Sequence, residues 1–150
     1  MDWPTTLIPC SLQHLSLFTQ RRKEMVFENE IASKVVDLCF RIHKQYGPGL
    51  YESVYEEIFC YEWGKTGIAY LRQHAVPLIH ESIEMQVGFR ADLIINKRVI
   101  LEFKSVELLS EVHFKQVLTY LKLTNLKLGL LVNFNVPLIK NGIHRIVNNL

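Results

Sequence analysis

The stretch that decides the fold is Arg90-Ala-Asp-Leu-Ile-Ile-Asn-Lys-Arg-Val-Ile-Leu-Glu-Phe-Lys104. Two apolar runs flank the polar triplet Asn96-Lys97-Arg98, the pattern of a β-hairpin. Side chains alternate along a strand, so Glu102 and Lys104 share one face and Phe103 takes the other. Asp92 lies on the partner strand. Cross-strand partners share a face, so register decides whether Asp92 meets Glu102. A connection centred on Lys97 pairs them. A two-residue turn at Asn96-Lys97 pairs Asp92 with Leu101 and turns it to the wrong side. A site built from both acids therefore requires an odd loop or a bulge.

Two carboxylates and an ammonium in otherwise apolar strands are costly unless they pair or bind a metal. Two acids that bring oxygens to one Mg²⁺, with a lysine beside them, form a site suited to metal-assisted phosphodiester hydrolysis. The alternative is a charged hairpin on a solvated sheet. Leu93-Ile94-Ile95 and Val99-Ile100-Leu101 weigh against it, because they read as buried on both faces.

Upstream of the hairpin, residues 29–46 show helical period, with Ile31, Val35, Leu38, Ile42 and Tyr46 as the stripe. Gly47-Pro48-Gly49 ends that helix. A second helix is expected from about Leu50 to Lys65, with Val54, Tyr55, Ile58, Phe59 and Tyr61 as its apolar positions. Ile68 to His80 and Glu84 to Phe89 read as strands, broken at Pro77 and at Glu81-Ser82. Downstream, Ser110 caps a third helix that runs to about Leu123, with Phe114, Val117, Leu118 and Leu121 inward. Leu126 to Phe134 has strand length, Pro137 to Gly142 is a turn, and Ile143 to Val147 a short last strand. This order gives an α/β fold, a mixed sheet with helices packed against it.

The chain has 150 residues, enough for one domain with a real core. It is 49% hydrophobic and 21% charged, ordinary for a globular protein. A net charge of +2 is no nucleic-acid signature by itself. From Glu107 onward, however, Lys115, Lys122, Lys127, Lys140 and Arg145 outnumber Glu107 and Glu111. That basic bias fits a phosphate backbone or an ordinary solvated surface. Cys10, Cys39 and Cys60 are widely spaced and odd in number. They suit neither zinc nor a disulfide framework, and they point to a reducing, cytoplasmic setting. Cys39 and His43, four apart on a helix, are expected to be core. No apolar run approaches membrane-spanning length. Residues 1–10 carry two prolines and no clean period, Ser11 to Phe18 is compatible with a short amphipathic turn or two, and Arg21-Arg22-Lys23 follows; residues 1–24 are expected to be an extension with little fixed structure. Residues 25–150 are then a single domain.

Two further groups stand out. Glu52 lies in the first turn of the second helix, where the helix dipole favours an acid, but its surroundings are partly apolar and invite a partner. His113, Gln116 and Tyr120, three and four apart, form one polar stripe on the third helix. Such a stripe suits contacts to phosphates, bases or the ligand shell of a metal, or simply faces solvent.

These pieces resemble a known family. Gly49-Leu-Tyr-Glu-Ser-Val-Tyr55 is similar to the motif that names the GxxExxY proteins, a branch of the PD-(D/E)XK nuclease superfamily. The resemblance runs from about Asn29 to Val147. It takes in Arg90-Ala-Asp-Leu93, Glu102-Phe-Lys104, His113, Gln116-Val-Leu-Thr-Tyr120 and Leu131-Val-Asn-Phe134. It implies a restriction-endonuclease-like αβββαβ core, a mixed central sheet flanked by helices. It implies that Asp92 and Glu102 hold Mg²⁺ or Mn²⁺ and that Lys104 orients or activates the attacking water. Glu52 resembles a helical acid that joins the metal shell. Gln116 and Tyr120 resemble the QxxxY motif, which supports the site and contacts DNA. Ala91 replaces the usual proline before the first acid. The implied function is a metal-dependent nuclease acting on nucleic acid, with DNA ahead of RNA. The alternative is a non-catalytic nucleic-acid- or protein-binding module that keeps the fold. Either fits a chain that works with a partner protein or as a homodimer.

Overall fold

The computed structural model describes residues 10–85 and 88–150. Their elements are α1 (Cys10–Tyr46), α2 (Glu52–Gly64), β1 (Tyr70–Ala75), β2 (Leu78–His80), β3 (Ile83–Met85), β4 (Arg90–Ile95), β5 (Val99–Lys104), α3 (Glu111–Thr124), β6 (Leu128–Asn133), a 3₁₀ turn (Ile139–Asn141) and β7 (Ile143–Val147). The main sheet has the order β1-β4-β5-β6-β7, and β2-β3 form a separate two-stranded hairpin. β5 and β6 run parallel, which requires the α3 crossover between them. The other neighbours in the main sheet are antiparallel. Read as α2-β1-β4-β5-α3-β6, the chain reproduces the expected αβββαβ core, with the small hairpin inserted before β4 and β7 added at the edge.

The hairpin takes the odd register that parity demands. Ile95 pairs with Val99, Ile94 with Ile100 and Leu93 with Leu101. The connection is Asn96-Lys97-Arg98. Its tight turn closes through Arg98 N–H donating to Ile95 C=O at 2.9 Å. Asn96 and Lys97 sit at φ 49° and 55°, the left-handed pair of a primed turn, and Arg98 is the extra residue.

Alternation along β4 and β5 separates two apolar layers. Leu93, Ile95, Leu101 and Phe103 join Val35, Leu38, Ile42, Tyr55, Phe59 and Trp63 on the α1/α2 side. Ile94 and Ile100 join Val117, Tyr120 and Leu121 on the α3 side. With both faces covered, the central strands read as continuous apolar runs. Phe103 packs at 5.2 Å from Phe59 and 5.7 Å from Phe134.

Several sequence expectations are corrected here. α1 starts at Cys10, not near residue 29, so residues 10–24 of the expected loose extension are helical. Residues 1–9 lie outside the described residues, as do residues 86–87 of the strand expected at Glu84–Phe89. In α2 the inward positions are Tyr55, Glu56, Phe59, Cys60 and Trp63. Tyr61 is 70% exposed and Val54 is exposed as well, because the docked face follows the 55-59-63 row. Tyr46, expected in the α1 stripe, is also exposed. Cys39 and His43 are core, as expected, and His43 Nε2 lies 2.8 Å from the Val136 carbonyl. Among the described residues no helix is long and apolar enough to cross a membrane.

Candidate active site

The ladder between β4 and β5 is last paired at Leu93–Leu101. Beyond it, side chains take over from backbone. Asp92 Oδ2 accepts the Phe103 N–H at 2.8 Å, and Glu102 Oε2 accepts the Asp92 N–H at 3.3 Å. Each carboxylate thus reaches across to the opposite strand, and the two acids are brought together at the open end of the hairpin. Asp92 is 8% exposed and Glu102 3%. Lys104 Nζ donates to Glu102 Oε1 at 3.1 Å.

The second helix reaches the same place through its first turn. Gly49 has φ +111°, a conformation that favours glycine. The Tyr55 hydroxyl donates to the Gly47 carbonyl and accepts the Leu50 N–H at 3.2 Å. Its ring stacks on Phe134 with centroids 4.2 Å apart. Ser105 Oγ, just past β5, donates to the Leu50 carbonyl at 2.8 Å. These ties hold the start of α2 over the end of β5, and they put Glu52 Oε1 4.0 Å from Lys104 Nζ. Glu52 keeps 43% side-chain exposure, so it flanks the lysine at the rim and is less buried than the two strand acids. Asn133 fixes the loop after β5. It accepts the Val106 N–H at 3.1 Å and donates to the Val106 carbonyl at 2.9 Å.

The charges at this end oppose one another. Burial first, and the Asp92 carboxylate second, push the Glu102 carboxyl from its ordinary 4.5 up to about 7. Asp92 is raised as well, mainly by burial and also by Glu56, against the pull of the Phe103 amide. Burial works against the Lys104 ammonium, but Glu102, Glu52 and Asp92 outweigh it and hold its pKa above the ordinary value. Two buried, mutually repelling carboxylates are hard oxygen donors that suit Mg²⁺ or Mn²⁺. Among the described residues no group of three or more His, Cys, Asp or Glu is arranged to hold an ion. A cation here would rest on Asp92 and Glu102, with backbone carbonyl or water completing its shell, as Mg²⁺ tolerates.

The polar stripe of α3 is accounted for differently at each residue. His113 Nδ1 accepts the Ser110 N–H at 3.1 Å, so it caps its own helix. Tyr120 is buried against Phe89, and its hydroxyl accepts from Gln116 Nε2 at 2.7 Å. Tyr120 is therefore part of the α3-side core, not of a solvated face.

Sequence reasoning missed a polar cluster on the β1 side that bonds to Asp92. Glu56, on the buried face of α2, receives Arg72 Nε at 2.6 Å and Gln73 Nε2 at 2.8 Å. The same Gln73 nitrogen donates to Asp92 Oδ1 at 3.1 Å. The available signal was an acid at the 56 position between Tyr55 and Phe59, where a helix face is otherwise apolar. A cavity of 730 Å³ opens at the far, turn end of the hairpin, lined by Glu28, Asn96, Lys97, Arg98, Asn125, Leu126 and Lys127. None of the acids discussed above lines it.

A family model described as the PD-(D/E)XK nuclease superfamily matches residues 29–146. No curated protein and no solved structure matches the chain.

Proposed function

This chain belongs to the PD-(D/E)XK nuclease superfamily, and from that premise we propose that it is a metal-dependent nuclease, with DNA as the first candidate substrate. The observation that carries this reading is the reciprocal bonding of Asp92 and Glu102 across two strands, with Lys104 3.1 Å from Glu102. The Gly49-to-Tyr55 motif supports the GxxExxY branch, and residues 25–150 are the nuclease domain on this reading. Buried, unpaired Cys39 and Cys60 support a reducing, cytoplasmic setting.

Asp92 and Glu102 would hold the metal, and Glu52, at the rim beside Lys104, would join its shell. A bound Mg²⁺ or Mn²⁺ supplies a lowered water pKa and a polarised phosphate. Lys104, cationic and held between Glu102 and Glu52, hydrogen-bonds the attacking water or the charge that builds on the phosphate oxygens. Water oxygen adds to phosphorus, the bond to the leaving sugar oxygen breaks, and that oxygen takes up a proton. Gln116 and Tyr120 brace the site from α3, and His113 lies at the start of that helix, where a strand of nucleic acid would pass. A partner protein or a second copy adds the grip that a modest basic surface lacks.

One observation favours the alternative, a non-catalytic nucleic-acid- or protein-binding module. Both Asp92 oxygens already have protein donors, so the apo site is not bare. The test is cleavage of labelled DNA and RNA, single- and double-stranded, in Mn²⁺, by the natural chain and by Lys104→Met. Methionine keeps much of the stem and removes the charge. Cleavage should fall roughly 10²–10³-fold while Mn²⁺ binding by calorimetry persists. Equal rates would remove Lys104 from the chemistry, and nucleic-acid binding indifferent to metal, without cleavage, would favour the binding module.

A further inference from the structure

We infer that Gln73 is a positioning residue of this site: its side-chain amide clamps Asp92 to Glu56 and fixes the carboxylate in the orientation in which it would take a divalent cation. This rests on the metal-dependent reading above and adds a residue to it. The clamp is a single nitrogen with two hydrogens, one on Glu56 Oε2 at 2.8 Å and one on Asp92 Oδ1 at 3.1 Å. Glu56 is itself anchored, by Arg72 Nε at 2.6 Å, and Arg72 also holds Glu57 at 2.6 Å. The Phe103 amide takes the other Asp92 oxygen. Asp92 is therefore fixed from both sides, by β5 and by β1.

The backbone argues that this arrangement is selected for the side chain. The β1–β4 register pairs Arg72 with Leu93 and His74 with Ala91, which sets Gln73 opposite Asp92. Gln73 has φ 48°. The other described non-glycine residues with positive φ, namely Glu81, Asn96, Lys97, Asn125 and Asn149, lie in turns, at a helix cap or near the chain end. Gln73 alone lies inside a strand. A left-handed residue there costs backbone energy and a ladder contact. If a kink were all that was needed, glycine or asparagine would supply it more cheaply. What glutamine adds is reach: an amide long enough to span two buried carboxylates. A neutral donor between them also lowers their repulsion. Losing a partner of this kind, which holds a ligand rather than the metal, typically costs roughly 10- to 100-fold in metal affinity.

The test uses the full chain and MnCl₂ alone, with affinity read by titration calorimetry and folding read by thermal melting in EDTA. Gln73→Asn suits the left-handed backbone but is one methylene too short for both acids. Gln73→Leu keeps bulk and removes both donors, and serves if the first variant folds poorly. Both should bind Mn²⁺ roughly 10- to 100-fold more weakly; the metal-free melting temperature of Gln73→Asn should stay close to that of the natural chain, whereas that of Gln73→Leu, which takes the donor from both carboxylates, should be lower. Either variant folding and binding Mn²⁺ as tightly as the natural chain overturns the clamp alone. So does a lowered melting temperature with unchanged affinity, because that is a structural role. A natural chain that binds no Mn²⁺ overturns the metal-site reading and the clamp with it.

Discussion

The two ends of the β4–β5 hairpin are built from the same strands and solve opposite problems. At the turn end, Ile94, Ile95, Val99 and Ile100 pair backbone to backbone and bury their side chains on both faces. Arg98 lies over the Phe27 ring at 5.3 Å and 3.5 Å from Glu28, which pins that end to α1. At the open end the ladder gives way to Asp92 and Glu102, whose carboxylates satisfy the strand amides and repel each other. The turn end contributes stability. The open end consumes it, and the apolar half of the same two strands holds the acids in place. A site of this kind is affordable only because its scaffold is over-determined a few residues away.

Adjacent residues on β4 should therefore respond in opposite ways, and this is the largest effect expected. Leu93→Ala leaves a cavity in the α1/α2 layer and should cost about 2–5 kcal/mol of stability, with Mn²⁺ affinity retained in the folded protein. Asp92→Asn keeps the shape and removes a buried like charge from Glu102, but its single carboxamide oxygen can accept only one of the Phe103 and Gln73 donors, which bond different Asp92 oxygens. The lost acceptor offsets the relieved repulsion, so metal-free stability at pH 8 should stay within about 1 kcal/mol of the natural chain, and Mn²⁺ binding should be abolished. Urea denaturation in EDTA and calorimetry on both variants decide the matter. An Asp92→Asn protein that loses as much stability as Leu93→Ala would mean that the two ends do not differ in kind.

The same contrast has a pH signature. The folded pKa of Glu102 is about 7, above its ordinary 4.5, and that of Asp92 is raised too. A raised carboxyl holds its proton in the folded state after the unfolded chain has released it. Its favourable contribution is fully present below about pH 4.5 and is lost as pH rises through about 7. Metal-free stability should fall between pH 5 and 8, by up to about 3 kcal/mol for a shift of this size. Lys104, also raised, adds no slope in this window, because it is charged in both states there. Saturating Mn²⁺ needs ionised ligands and should reverse the sign. Denaturation midpoints across that range, with EDTA and with Mn²⁺, give the two slopes. A metal-free profile that is flat, or that rises with pH, would contradict the origin assigned to the Glu102 shift.

What was legible in the sequence tracks how local the cause is. Parity within fifteen residues was enough to show that Asp92 meets Glu102 only through a three-residue connection. Gly49 and Tyr55 could be read as a motif, and the structure adds why: the tyrosine closes the glycine loop and aims the helix start at Lys104. Gln73 and Glu56 were not legible. Their meeting depends on β1 docking against β4 and on a backbone angle inside β1, and neither leaves a periodic trace. Tyr120 was assigned to a polar stripe because its hydroxyl was counted and its ring was not. Burial against Phe89 decided otherwise. The continuous helix from Cys10 goes beyond the turn or two legible at Ser11 to Phe18, because residues 11–25 lack glycine and proline but carry no stripe sustained across the segment. In that segment helix-compatible composition outweighed the absent pattern.

The smallest effect expected is at the joint between the two ends. Tyr55→Phe keeps the stack on Phe134 and removes only the hydroxyl, which serves the Gly47 carbonyl and the Leu50 amide. Leu50 is also where Ser105 ties α2 to the end of β5. Two partly buried backbone groups lose a partner and regain water in part, so stability should fall by about 1 kcal/mol. The turn end of the hairpin makes no use of this loop and should be unaffected. Hydrogen exchange can separate the two: faster exchange of the Leu50 amide and the first turn of α2, with unchanged protection of the Ile94 and Ile100 amides relative to global stability. If protection at Ile94 and Ile100 drops beyond the global loss, the loop and the turn end are one cooperative unit and the division drawn here is wrong.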